Sequence, residues 1–339
     1  MKPHSLAKAL STVAGVLFLA LVAVFIYAQL TYSSSYLLLP DSPHALAPLI
    51  KVKDARKADK GGIYFVDVIE RRASLAERYL PVLRRDATLV SQQDLGLSNV
   101  SEKERSRIDA ASMALSKKIA EAVALRRLGY KVVVRPRGAR VEQTAPDTPA
   151  SSKLLPGDVI TAVDGKATLK FARLHALITG HRAGERVRIT FIRNGRKRTV
   201  ALRTFASPTS PHVTLIGVNI TQAASIRLPI GVTIDAGNIG GPSAGLAFAL
   251  ELTDKLGRDI DRGYRIAATG ELALDGSVQP IGGVKQKVIG ARRAGIEIML
   301  VPAGDNATEA RRYAGSMKII SVTSFQQALR ALATAVQKR

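Results

Sequence analysis

The chain has 339 residues, with 50 Lys plus Arg against 27 Asp plus Glu, five His and no Cys. The missing Cys removes disulfides, thiolate zinc sites, iron–sulfur clusters and thiol nucleophiles, and a 46% hydrophobic fraction excludes a disordered basic tail. The net charge of +23 points first to an anionic partner; with 5% aromatics, no Trp and no zinc-finger or RNP-type string, lipid or wall polymer fits better than nucleic acid.

Residues 11–28 (STVAGVLFLALVAVFIYA) carry no charge. Eighteen helical residues span about 27 Å, close to the thickness of a hydrocarbon core. Lys2 and Lys8 precede the run, and Tyr27 and Tyr32 stand where an interfacial aromatic belt would lie. A cleaved signal peptide is the alternative, but Ile26-Tyr27-Ala28 is a poor small-x-small site. The expectation is therefore an uncleaved signal anchor over residues 1–30, with a cytoplasmic tip and everything after it exported. Residues 31–60, rich in Ser and Pro and then basic, read as a stalk. Residues 62–69 read as a strand. Residues 101–127 carry a helical pattern, with Ser101 and Glu104 as a capping box and Gly129 as the stop. Ile108, Ala111, Met113, Leu115, Ile119, Ala122 and Leu125 supply its apolar face.

Residues 129–206 change character: they hold 16 of the basic residues and 5 of the acidic ones. Strands are expected at 132–134 and 139–143, a helix at 170–178, and a hairpin of 186–193 and 197–203 turning at Asn194-Gly195. Leu154 to Gly165 reads L-x-P-G-D-x-I-x-x-V-D-G. This order and this run resemble a PDZ domain. The resemblance implies capture of extended C-terminal peptides at a sheet edge. It puts the loop that holds the peptide carboxylate at Gly129, Tyr130, Lys131 and Val132. The plainer alternative is a small basic β-domain acting as a spacer.

Residues 231–256 run from an extended segment through a Gly-rich turn into a helix, with Ser243 where the helix begins. A helix start offers free N–H groups and a positive dipole end, which suit a nucleophile and a developing oxyanion. An ordinary N-cap serine is the alternative. A serine nucleophile needs a base. Of the five His only His212 is placed to serve, and no Asp or Glu adjoins it in sequence. Two lysines are the other option. On a helix starting near Val284, Lys287 falls on the apolar face with Val288 and Ala291, while Lys285 lies about 200° away. Lys287 is thus a base candidate, with snorkelling to the surface as its alternative.

Four blocks together resemble the proteolytic domain of Lon-type serine proteases. They are Gly241-Pro-Ser-Ala-Gly245, Ala268-Thr-Gly-Glu271, Pro280-Ile-Gly-Gly-Val-Lys-Gln-Lys287 and Ile298-Met-Leu-Val-Pro302. The resemblance implies that Ser243 is the nucleophile and Lys287 the general base of a Ser–Lys dyad. It makes Thr269 the threonine that hydrogen-bonds the lysine, and the Ser243 and Gly240 N–H groups the oxyanion hole. Gly240 stands where many such enzymes carry an Asp.

The expected fold class is α/β (α+β): a Lon-type proteolytic domain with an inserted PDZ-like β-rich domain, preceded by one transmembrane helix. The segments are 1–30, 31–60, 61–128, 129–206 and 207–339. This resembles membrane-anchored, PDZ-containing Lon-type serine proteases of bacteria. The implied activity is ATP-independent cleavage of extended proteins, since no G-x-x-x-x-G-K-[ST] string occurs. No cofactor, metal or nucleic acid is expected, and a homo-oligomer is implied by the family. The rival readings are a catalytically silent PDZ scaffold and a protein binding the anionic cell envelope.

Overall fold

The computed structural model describes residues 3–56, 61–91, 102–237, 239–257 and 259–334. Ser101, and with it the expected capping box, lies outside the described residues; the helix itself runs over Glu102–Arg127.

The first element is a helix over Pro3–Leu30. Its Thr12–Leu30 part has a mean hydropathy of 2.5 and, by length and composition, is sufficient to cross a membrane. Leu17, Phe18 and Leu19 stand well over half exposed on it.

No stalk follows this helix, contrary to the expectation for 31–60. Leu75 N–H donates to Thr31 O at 2.8 Å, and Tyr32–Pro40 enters a three-stranded antiparallel sheet between Val68–Ser74 and Thr88–Val90. Ser33 and Ser35 face inward, while Ser34 and Ser42 are exposed. Ser33 Oγ donates to Ala73 O at 3.0 Å, and Ser35 N–H donates to Ser33 Oγ. Leu37, Leu46 and Ile50 are buried to 2% exposure or less, so this segment builds core.

The larger unit is organised by a five-stranded sheet in the order 44–45, 62–65, 265–268, 298–302, 318–322. The last four strands are parallel, and the first pairs antiparallel. The period-2 alternation of strand side chains sends Ile266, Ala268 and Leu300 to one face, where Leu125, Leu246 and Phe248 cover them. Ala267, Met299 and Val301 go to the other, against Val284, Val288 and Ala291 of the Val284–Arg293 helix. Apolar side chains on both faces explain why Ile298–Pro302 reads as an unbroken apolar run. The fold class is α/β as expected, with a separate β-rich unit.

That unit has its own core, formed by Val141, Leu154, Ile160, Val187, Ile189 and Phe191 among others. Its sheet runs Arg196–Arg203, Arg186–Arg193, Val159–Val163, Val133–Thr144, Val218–Arg227, and a helix occupies Phe171–Thr179. Asn194 (φ 51°) and Gly195 (φ 74°) make the expected hairpin turn. The sheet continues past residue 206: Val218–Arg227 pairs with the whole of Val133–Thr144 and forms one edge.

Gly129–Tyr130–Lys131–Val132, where the peptide-carboxylate loop is expected, also ends the long helix. Gly129, at φ 89°, donates to Arg126 O, and Tyr130 N–H donates to Leu125 O at 2.9 Å. These two bonds and the left-handed glycine are a Schellman cap closing the long helix. Val132 packs on the core of the larger unit. A Gly-hydrophobic string serves a helix stop and a binding loop equally well. A Cβ on Gly129 would meet nothing within 4 Å, so Gly129→Ala tests backbone strain alone. We expect a loss of about 1–2 kcal/mol in chemical denaturation and unchanged peptide affinity.

Candidate active site

Val232–Ile234 pairs with Ile50–Val52 and leads into a glycine-rich turn, after which the Gly245–Leu256 helix begins. The turn is tied down from several sides. Gly241, at φ 84°, donates its N–H to Asp109 O at 3.1 Å. Ser116 Oγ donates to Pro242 O at 2.9 Å. Gly270 N–H and Thr269 Oγ1 donate to Ser243 O at 2.8 and 3.3 Å. A Cβ on Gly240 would lie 2.7 Å from Asp109 Cβ, so only glycine lets the turn press against the long helix. Ala244, not Ser243, is the N-cap residue, and no side chain caps that helix. The Ser243 hydroxyl is therefore not engaged as a helix cap.

Lys287 reaches the same point from the Val284–Arg293 helix. It is 4% exposed, and its Nζ donates to Ser243 Oγ at 2.9 Å. Burial pushes its pKa down to about 8, with Asp67 acting in the opposite direction. Lys285 faces elsewhere, its ammonium 5.6 Å from the centre of the Tyr313 ring. Thr269 is fully buried, but its hydroxyl bonds the Ser243 carbonyl rather than Lys287. His212 is exposed on the β-rich unit's side of the chain.

Two residues near the lysine escaped the sequence reading. Asp67 follows the Gly62–Phe65 strand, whose Phe65 pairs with Ala268 beside Thr269. Burial raises its pKa, and His44 lowers it. His44 Nε2 lies 3.3 Å from Asp67 Oδ1 and 3.9 Å from Asp41 Oδ2, and its ring stacks on Phe65. Reading 31–60 as a stalk hid His44. The acidic residue just past the Gly62–Phe65 strand, after Val66, was the available signal for Asp67.

Among the described residues, two groups bring three ligand-type atoms within 4.8 Å of one another: Asp41–His44–Asp67 and Asp254–Asp259–Asp261. The second is engaged by Arg56, at 3.2 Å from Asp254 and 3.5 Å from Asp259, and by the N–H groups of Ile260 and Gly263. A cleft of about 900 Å³ runs between the long helix and residues 228–240, with Gly240 in its lining.

Residues 213–335 match the model of the Lon protease (S16) C-terminal proteolytic domain, and residues 126–204 match that of the PDZ domain. The chain carries a Lon-type proteolytic domain and a PDZ domain. Lon protease 1 of Sorangium cellulosum is 45% identical over 84 residues, 24% of this chain and 10% of that protein. Lon protease 2 of Thermus thermophilus is 48% identical over 75 residues, 22% and 9%. Lon protease 2 of Bacillus subtilis is 35% identical over 104 residues, 31% and 18%. The chain thus spans less than a fifth of the length of these curated relatives. Among solved structures, the PDZ domain of the SdrC-like protein of Listeria monocytogenes is 23% identical with a TM-score of 0.23, covering 25% of this chain and 88% of that one.

The buried lysine of the Lon-type domain has a cost with a definite sign. Unfolded, it titrates near 10.5; folded, near 8. Below pH 8 both states hold the proton and the folded state bears the full cost of burying charge. Between pH 8 and 10.5 the unfolded state binds more protons, so stability rises with pH. Lys287→Met removes the cost. The variant is expected to be more stable than wild type at pH 7 by about 1–3 kcal/mol, with the gap closing by pH 10, in denaturant titrations at both pH values.

Proposed function

We propose that this protein is an ATP-independent serine endopeptidase anchored by its apolar N-terminal helix, with the proteolytic and PDZ domains outside the cytoplasm. The observation that carries the reading is the 2.9 Å contact between Lys287 Nζ and Ser243 Oγ in a site where burial holds the lysine near pKa 8. A fraction of the lysine is then neutral at pH 7, and its lone pair accepts the Ser243 proton as Oγ attacks the scissile carbonyl. The new ammonium gives that proton to the departing amine. Water, deprotonated by the same lysine, then resolves the acyl-enzyme.

The oxyanion role falls to the N–H groups of Ser243 and Gly240. Gly241 N–H is taken by Asp109 O, and Pro242 has none. Thr269, through the Ser243 carbonyl, acts as a positioning residue. Asp67 keeps the lysine's pKa from falling further, which preserves a usable acid for the leaving group.

The PDZ domain recruits extended peptides at a sheet edge. The Val218–Arg227 edge strand lies beside the Phe171–Thr179 helix and runs on directly as residues 228–234, which line the cleft. A tail held along that strand is led toward Ser243. Lys2 and Lys8 before the apolar span support a cytoplasmic amino end.

The test is cleavage of an unstructured protein by the full chain in detergent micelles. Ser243→Ala and Lys287→Ala are each expected to lose at least about a thousandfold in kcat/KM. The wild-type profile should rise with pH to a plateau above about 8. Equal cleavage by the three proteins, or a flat profile from about pH 6 to 9, contradicts the proposal.

A further inference from the structure

The apolar N-terminal helix passes into the folded unit with almost no slack. Only Thr31 separates its last residue, Leu30, from the Tyr32–Pro40 strand. Thr31 O accepts the N–H of Leu75, and Gln29 Oε1 accepts the Ser74 hydroxyl at 3.1 Å. These bonds set a short helix, Leu75–Tyr79, against the end of the span. A capping box fixes where that helix starts: Ser74 Oγ accepts the Glu77 N–H, and Glu77 Oε2 accepts the Ser74 N–H. The helix and the Pro81–Arg84 turn after it therefore present their surface beside the point where the span ends.

That surface is apolar and uncovered. Residues 79–83 (YLPVL) are exposed throughout, Tyr79 to 71% and Val82 to 82%. Leu30 and Tyr32, at the end of the span, are 77% and 65% exposed. A surface facing water rarely keeps so continuous an apolar run without a function for it.

The charges around the run are cationic. Residues 71–85 hold five Arg and one Glu. That acid, Glu77, is already taken by Arg71, whose Nη1 donates to it at 2.9 Å. Arg72, Arg78 and Arg85 are exposed, and the Arg78 guanidinium lies 5.6 Å from the centre of the Tyr79 ring. Apolar side chains, a tyrosine and a rim of arginines suit the bilayer interface. There the apolar groups enter the acyl boundary, while guanidinium groups meet lipid phosphates. A second copy of the chain packed on this face about a two-fold axis would also cover the apolar run, but it would set these arginines near their own counterparts. An anionic leaflet satisfies both features at once.

We propose that residues 79–83 form a second membrane contact, an interfacial loop that dips into the leaflet where the span ends, with Arg72, Arg78 and Arg85 on the phosphates of anionic lipids. This rests on the membrane anchoring proposed above. It adds that the larger unit is held down on the bilayer surface at two points rather than tethered at one.

The test exploits the absence of Trp from the chain, which makes any introduced Trp a lone reporter. Full-length Val82→Trp is reconstituted in vesicles of phosphatidylcholine and phosphatidylglycerol, with and without bromine on the acyl chains. Its emission is expected to be blue-shifted from that of Trp in water and to fall by about half with brominated lipid, as for a side chain at the headgroup–acyl boundary. Tyr79→Trp should behave alike. Water-like, unquenched emission from both variants overturns the proposal. So does a blue shift without quenching, which means that protein covers the run. Phe18→Trp, within the span, reads the anchor separately. If it is quenched while the other two are not, the anchor stands and the second contact fails. If it is unquenched, the anchor itself fails, and the contact that rests on it fails too. Adding Arg72→Glu and Arg85→Glu to the Val82→Trp chain should weaken the quenching, and undiminished quenching overturns the phosphate contacts.

Discussion

Everything around the site follows from keeping a lysine out of water with its amine against a serine hydroxyl. A 4% exposed ammonium is expensive, and the surrounding fold over-determines its position. Gly283, at φ 68°, starts the lysine-bearing helix in a left-handed conformation, and Val284, Val288 and Ala291 lock that helix onto the parallel sheet. Gly290 lets the helix sit on the chain just after the Tyr32–Pro40 strand; a Cβ there would come within 2.0 Å of Asp41 O. Gln286, on the same helix, donates to Thr88 Oγ1 at 2.7 Å and ties it to the three-stranded sheet. The serine is held with equal care from the opposite face: Thr269 and Gly270 donate to its carbonyl, and Ser116 donates to that of Pro242 before it. Two rigid elements on either side of one sheet therefore meet at a single pair of atoms.

The second organising feature is a single stretch of chain shared by both domains. Val218–Arg227 closes the PDZ sheet as an edge, then continues as the wall of the cleft and ends in the catalytic turn. The PDZ sheet and the Ser243 turn are thus adjacent along one backbone. The PDZ sheet carries part of the charge surplus on its surface, where Arg186 stands opposite Arg203 and both are exposed. Arg193, opposite Arg196, is instead neutralised by the buried Asp158 at 2.6 Å.

Ser243 and Lys287 were legible in the sequence because each sits beside a glycine-marked helix start, where periodicity decides which side chain turns inward. The parallel strand Ile298–Pro302 was legible for the same kind of reason. Three features were not. The serines of 31–60 gave a linker composition, yet Ser33 satisfies its hydroxyl on a neighbouring strand and the segment becomes core. The strand Val218–Arg227 has little apolar alternation, because as an edge it is held through its backbone bonds to Val133–Thr144. Glu121 carries no sequence sign of its burial, which comes from tertiary packing alone. Thr269 illustrates a finer limit: motif order located the residue, but not which of its two neighbours its hydroxyl would bond.

The central claim is that Lys287 is a desolvated amine able to act as a base near neutral pH. Its most direct measure is a titration of the Lys287 Cε resonance in the full-length chain carrying 13C-labelled lysine, assigned by comparison with Lys287→Met. The account predicts a midpoint near pH 8. A midpoint at about 10 or above, where exposed lysines titrate, would contradict it.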